Sequence, residues 1–274
     1  MKVDVTFLVE NTAPTFNLCA EYGQGMLVKV DDHLLIFDVG HAGAAAANLK
    51  TLGIQPEAVH AIVISHGHLD HTRGLLPVLE VLGSKDIYIH ADAFYPKFAG
   101  LPGTWDIGMP KRETIENAGG RIIHIETPTE ILPKVWITGA IPRETDFEDV
   151  GGLFAVQRGR EQEKDELPEE LALVIDHPNG LIVISGCAHA GMINTIEYAR
   201  RITGNRRVLA WVGGTHLVTA STERLTQTFD RLKEMDLETI VVSHCTGFVP
   251  AALMYSHLGS SVRKGETGQT FTFD

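Results

Sequence analysis

Three features of the sequence predict a layered α/β fold. Short runs rich in Val, Ile and Leu recur along the whole chain, and segments with helical spacing fall between them in both halves. Several of the apolar runs end in a small residue followed closely by histidine. Runs of this kind are buried strands, and the segments between them are the helices that cover a sheet. With 274 residues the chain can bury a large core, and a single domain over 1–274 is expected.

Taken in order, Val3 to Val9, Gly25 to Val30 and Leu34 to Asp38 read as strands, with Asp31-Asp32-His33 as a polar hairpin turn. Ala44 to Leu52 has helical spacing and is stopped by Gly53. Ala61 to Ser65 is a strand, Leu75 to Leu82 a buried helix, and Asp86 to His90 and Arg121 to Ile125 two further strands. Between those two, the stretch 91–120 is rich in Pro, Gly and aromatic residues, and reads as a long insertion. Segments of that length are either functional lids or plain surface excursions, and both readings stand. In the second half, Val135 to Thr138, Leu171 to Ile175, Leu181 to Ser185, Arg207 to Val212 and Thr239 to Ser243 read as strands. Met192 to Thr203 and Thr222 to Met235 read as amphipathic helices.

Composition narrows the function. Hydrophobic residues make up 44% and charged residues 21%, as in ordinary soluble proteins. A net charge of −12 disfavours nucleic acid and favours a small substrate held locally, and 7% aromatic residues offer no broad stacking surface for single strands. The acidic stretch from Glu161 to Glu170 reads as a solvated loop. Three widely spaced cysteines, Cys19, Cys187 and Cys245, indicate no disulfide framework and a reducing compartment. The polar N-terminal segment lacks a signal core, and no run approaches ~20 apolar residues. A cytoplasmic protein with no membrane partner is expected, and the oligomeric state is open.

The chemistry gathers at strand ends. Residues 62–74 read Ile-Val-Ile-Ser-His-Gly-His-Leu-Asp-His-Thr-Arg-Gly, which puts His66, His68, Asp70 and His71 within six positions. Imidazole nitrogen and carboxylate oxygen are donors for zinc and other divalent first-row metals. Three later runs end alike, in Gly-Cys-Ala-His at 186–189, Gly-Gly-Thr-His at 213–216 and Ser-His-Cys-Thr-Gly at 243–247. Ligand sites in α/β proteins collect at the carboxyl ends of strands, where buried strands fix the loops. Phe37-Asp38-Val39-Gly40-His41 fits the same pattern, with an acid closing a strand.

Ser-His-Gly-His-Leu-Asp-His resembles the His-x-His-x-Asp-His signature of the metallo-β-lactamase superfamily, Asp38-Val39-Gly40 its first motif, and His244 its last histidine. Gly-Cys-Ala-His-Ala-Gly, Gly-Gly-Thr-His-Leu and His-Cys-Thr-Gly resemble one branch of it. That branch contains the dihydropterin–ribofuranosylaminobenzene phosphate synthase and many uncharacterised metal-dependent hydrolases. The resemblance implies a four-layer αββα sandwich. It also implies that His66 and His68 bind one metal with a third histidine, and that Asp70, His71 and His244 bind a second. The loop that usually supplies the third histidine reads Thr138-Gly139-Ala140-Ile141-Pro142-Arg143, without one, and Cys187 stands where a bridging Asp falls. His189 is the natural replacement ligand.

The expected cofactor is one or two zinc ions, with manganese, iron or nickel as alternatives. A dinuclear centre ~3.5–4 Å across would lower the pKa of water towards ~7 and clamp a phosphate oxygen. Asp70 would hold that water, and His216 would protonate a leaving oxygen. His216 has two other readings, a phosphate ligand and a core histidine. Asp38 is expected to orient a ligand histidine or the loop rather than to bind metal. Cys187 is either a thiolate near the metals or a small buried residue. His41 is open, and Cys245 is set aside because neighbours on a loop need not face the same way. His33, His60, His90, His124, His177 and His257 carry no motif. The function expected is hydrolysis of a small phosphate ester. The alternatives are a transferase joining a dihydropterin diphosphate to a ribofuranosylaminobenzene phosphate, and a degenerate metal-binding module. A flavin-partnered diiron oxidoreductase would need acids at the two positions that lack them.

Overall fold

A computed structural model describes residues 1–205 and 207–274. The chain divides into two compact units, one of Met1–Ile125, Leu153–Glu166 and Glu266–Asp274, the other of Glu126–Gly152 and Leu167–Gly265. The first 125 residues contain β1 (Val3–Val9), β2 (Gly25–Val30), β3 (His33–Val39), α1 (Ala44–Thr51), β4 (Val59–Val63), α2 (Leu69–Thr72), α3 (Leu75–Leu82), β5 (Lys85–Ile89), β6 (Lys97–Gly100), β7 (Gly103–Asp106), α4 (Arg112–Asn117) and β8 (Gly120–His124). There follow β9 (Thr129–Leu132), β10 (Val135–Ile137), β11 (Phe154–Arg158), β12 (Glu161–Lys164), β13 (Ala172–His177), β14 (Gly180–Ser185), α5 (Met192–Thr203) and β15 (Val208–Gly213). The chain ends with α6 (Thr222–Met235), β16 (Thr239–Val242), α7 (Phe248–Leu258), β17 (Val262–Lys264) and β18 (Thr270–Phe273).

The first unit is built on a seven-stranded sheet in the order β18-β1-β2-β3-β4-β5-β8. The turn from β2 to β3 places Asp31 at φ 50°, a left-handed conformation that Asp tolerates, and brings Val30 opposite His33. Parallel pairing begins at β3 and β4, where both faces are covered and the strands become continuously apolar. Ala45 and Leu49 of α1 and Leu75 and Leu79 of α3 pack on Ile36, Ile62 and Ile87 of this sheet. A side chain at Gly74 would strike the Val39 carbonyl oxygen at 2.0 Å, so glycine lets the chain entering α3 pass against the end of β3.

The same unit holds a four-stranded antiparallel sheet, β12-β11-β6-β7. It corrects one sequence expectation and adds structure to another segment. Residues 97–106 of the 91–120 insertion form a hairpin, whose β6 pairs with β11 more than fifty residues further on. The acidic stretch is no solvated loop: Glu161–Lys164 is β12, while Asp165, Glu169 and Glu170 are buried. Asp165 meets Lys97 Nζ at 2.7 Å, and Glu170 meets two backbone N–H groups of the second unit, to which it belongs. Buried carboxylates persist only with such donors.

The second unit is a seven-stranded sheet ordered β17-β16-β15-β14-β13-β10-β9. β14, β15 and β16 run parallel, joined by α5 and α6 as crossover helices. α5 buries Met192, Ile193, Ile196 and Ala199, and α6 buries Phe229 and Leu232, in a cluster with Val183 and Trp211 of the sheet. Ser221 caps α6 by accepting from Arg224 N–H at 3.1 Å. The parallel strands all deliver their carboxyl ends to loops that carry histidine: His189 after β14, His216 after β15 and His244 after β16. Among the described residues, no helix is long and apolar enough to cross a membrane.

Candidate metal centre

In the first unit, His66, His68, Asp70 and His71 are all buried, on the loop that leaves β4 and in the single turn of α2. The ring of His66 lies 4.6 Å from that of His68 and 4.4 Å from that of His71, centroid to centroid. Glycine at position 67 makes this spacing possible, because a Cβ there would sit 2.3 Å from the Ala93 carbonyl oxygen. Thr72 Oγ1 donates to the His68 carbonyl at 2.8 Å and Gln24 N–H to the Asp70 carbonyl at 3.1 Å, which ties down both ends of the turn.

Asp38 sets the tautomers. Its buried carboxylate accepts from Ser65 N–H at 2.8 Å, from Ser65 Oγ at 2.7 Å and from His71 Nδ1 at 2.7 Å. A carboxylate only accepts, so His71 carries its proton on Nδ1. Ser65 has one hydroxyl proton and gives it to Asp38. Its oxygen, 2.8 Å from His66 Nδ1, therefore accepts there, and His66 is also protonated on Nδ1. Both rings thus keep their lone pairs on Nε2, the arrangement that a ligand histidine needs. Asp38 does contact one of the motif histidines, as its expected orienting role requires; Ser65 was missed, since a serine closing a strand carries no signal of its own.

The second unit gathers its own donors. Cys187, His189 and His216 offer ligand atoms within 4.8 Å of one another, and so do Cys187, His244 and Cys245. His189 is fully buried and donates Nδ1–H to the Val150 carbonyl at 2.7 Å, again placing the lone pair on Nε2. Its backbone is fixed too: His189 N–H donates to Glu170 Oε1 at 2.7 Å, and Arg143 Nη1 donates to the His189 carbonyl at 2.6 Å. The His216 ring lies 4.2 Å from that of His189, centroid to centroid, and is tilted 41° to it. Gly151 closes on its far side, where a Cβ would meet His216 Cδ2 at 2.1 Å.

Two groups here escaped the sequence reading. Burial pushes the Glu170 carboxyl up to about 7, against the hydrogen bonds from Ala190 and His189. Cys245, set aside earlier, has its Sγ against the loops of β14 and β15, accepting from His216 N–H at 3.3 Å and lying 3.6 Å from the Cys187 carbonyl. Burial raises its pKa, but hydrogen bonds with Cys187 and His216 and the nearby imidazoles bring it well below the usual thiol value. Burial lowers the pKa of His216, and Cys245 and Glu170 more than offset that, leaving it above the usual histidine value. Of the motif-free histidines, His33 and His60 meet edge to face at 5.9 Å, and His90 and His177 accept from backbone N–H groups two residues on.

The donor chemistry fits a divalent metal. In the first unit buried imidazoles stand with a carboxylate, and in the second with thiols, donor types that divalent first-row metals accept.

A profile of the metallo-beta-lactamase superfamily matches residues 21–244. The chain is 29% identical over 269 residues to the 7,8-dihydropterin-6-methyl-4-(beta-D-ribofuranosyl)-aminobenzene-5'-phosphate synthase of Methanocaldococcus jannaschii, covering 93% of this chain and 90% of the synthase. A second, uncharacterised protein of that organism is 31% identical over 267 residues, covering 94% of this chain and 99% of the other. Among solved structures, Tm1679, described as a metal-dependent hydrolase of the beta-lactamase superfamily, superposes with a TM-score of 0.86 at 26% identity over 98% of each chain. The mixed α/β architecture is the one the motifs implied, and the chain belongs to the metallo-beta-lactamase superfamily.

Proposed function

We propose that the protein is a metal-dependent hydrolase of a small phosphate-bearing ester. The observation that carries this reading is the Asp38–Ser65 network, which sets His66 and His71 on one tautomer with Nε2 as donor. A buried polar network is costly unless every member is satisfied, and this one is organised around ligand nitrogens. In this reading His66, His68 and His189 hold one zinc ion, and Asp70, His71 and His244 a second, with manganese, iron or nickel as other occupants. The ions would supply Lewis acidity and a water of lowered pKa. Asp70 would accept a hydrogen bond from the attacking water through its carboxylate, and His216 would give a proton to the leaving oxygen. The net charge of −12 supports a small substrate drawn in locally rather than nucleic acid.

A second reading is a pterin transferase, in which the site binds a diphosphate leaving group and no water attacks. The extent of identity to the methanogen synthase favours it, as does Cys187 where a bridging acid is usual. Metal analysis after native purification tests both, since fewer than ~0.3 equivalents of any transition metal would remove them and leave a degenerate module. Cleavage across a panel of phosphomonoesters and phosphodiesters supports the hydrolase. Inertness to the panel, with diphosphate released from a dihydropterin diphosphate and an aryl phosphate acceptor, supports the transferase.

A further inference from the structure

The small sheet of the first unit presents two aromatic residues in register, one of them beside His68. Directly opposed residues of antiparallel strands project to the same face. Trp105 of β7 lies opposite Ala99 of β6, and Ala99 lies opposite Phe154 of β11, so the three form one row. The row begins at the candidate centre, because the Phe154 ring lies 5.0 Å from that of His68. It ends in solvent, where Trp105 is 76% exposed. Along the same face one side of the row is closed by Lys97, which is buried and paired with Asp165.

The dimensions select an occupant. Two strand spacings put the aromatic positions roughly 9.5 Å apart, with only a methyl group between them. Aromatic pairs sit with ring centroids ~4.5–7 Å apart, so one flat ring contacting both neighbours at the near end of that range fills the span. A puckered aliphatic ring of the same size gains no face-to-face contact.

We propose that Trp105, Ala99 and Phe154 form a slot for a planar aromatic part of the substrate, next to His68. The inference rests on the reading of His68 as part of a phosphate-handling metal centre, and it adds aryl or heteroaryl esters as the substrate class. The test uses the full-length, zinc-loaded protein with three probes that it cannot hydrolyse: inorganic phosphate, phenylphosphonate and cyclohexylphosphonate. Calorimetry is expected to show phenylphosphonate binding about tenfold more tightly than cyclohexylphosphonate, the scale of one aromatic stacking contact. Trp105→Ala should remove that preference and leave the Kd for inorganic phosphate unchanged, while Trp105→Phe keeps most of it. Ala99→Leu, which fills the slot from the opposite direction, should weaken phenylphosphonate alone. Equal binding of the two phosphonates, or a preference that survives both Trp105→Ala and Ala99→Leu, overturns the slot and leaves the phosphate centre standing. Failure of all three probes to bind overturns both.

Discussion

Asp38 shows how one side chain can hold two histidines of a candidate metal centre in place, through Ser65 and directly at His71. Its backbone sits at φ 58°, in the left-handed region, and its carboxylate is wholly buried. Only three donors from Ser65 and His71 make that burial tolerable. Asp38→Asn keeps the shape but replaces one acceptor oxygen with an N–H donor, which must then oppose either Ser65 or His71 Nδ1–H. Zinc affinity is expected to fall about 10–100-fold, measured by competition with a chromophoric chelator. An unchanged affinity would mean that the ring orientation is set elsewhere. His66→Ala should lose most of the bound metal, whereas His216→Ala should retain metal and lose turnover. Full activity in the latter would take His216 out of the reaction. The histidines and Asp38 were legible because their spacing repeats at strand ends. Ser65, Glu170 and Cys245 were not, because each acts through a partner that only the fold supplies, as when Glu170 accepts from His189 nineteen residues away.

At the scale of elements, the small sheet is joined to the loop that carries His66 and His68. Leu69 N–H donates to the Ile107 carbonyl at 2.7 Å, His68 bridges Gly108, and a Cβ at Gly67 would lie 2.9 Å from Lys97 Cε. The Lys97–Asp165 pair beneath that loop is shielded from water on both sides. Lys97→Met strands a buried carboxylate and should cost about 3–5 kcal/mol in urea unfolding, while Lys97→Met combined with Asp165→Leu should recover most of that loss. A double variant no better than the single would show that packing, not charge, dominates here. α5 offers a pH test. Glu148 accepts from Ile193 and Asn194 N–H at its start, and burial holds the Glu148 carboxyl above the ordinary value of 4.5. The folded state therefore binds this proton more tightly than the unfolded chain does. Its contribution is full below the unfolded pKa and is lost as pH rises through the folded one. Glu148→Gln should flatten that part of the stability profile, read by denaturant titrations from about pH 4 to pH 8; a profile of unchanged slope would assign it to other groups. Apolar strands such as β4 and β14 were placed from sequence within a residue or two, because burial on both faces leaves a continuous hydrophobic run. β6 and β12 read Lys-Phe-Ala-Gly and Glu-Gln-Glu-Lys and carry no such run, so only their pairing makes them strands. α7 was missed for another reason: it is apolar on every side, and Pro250 stands in its first turn, so no period marks it.

At the scale of the whole molecule, the question is what one ion does to the stability of the chain. The family profile runs from residue 21 to 244, so the motifs expected to ligate are drawn from both compact units. An unfolded chain holds residues so distant in sequence too loosely to bind together, and metal binding therefore adds to folding stability by mass action. Zinc at 1,000-fold above its Kd should contribute about 4 kcal/mol. For a chain of this length each kcal/mol moves the midpoint by about 2–4 °C, so a rise of roughly 10 °C is expected on adding zinc to chelated protein. The decisive comparison is between His68→Ala and His244→Ala. If the proposed set is correct, each substitution removes a ligand and each should cut the zinc-induced rise substantially, although the two residues lie in different units. A full rise in His244→Ala, with the rise abolished in His68→Ala, would confine the metal to the donors of the first unit. The second unit's cluster of Cys187, His189 and His216 would then serve the substrate rather than the ion.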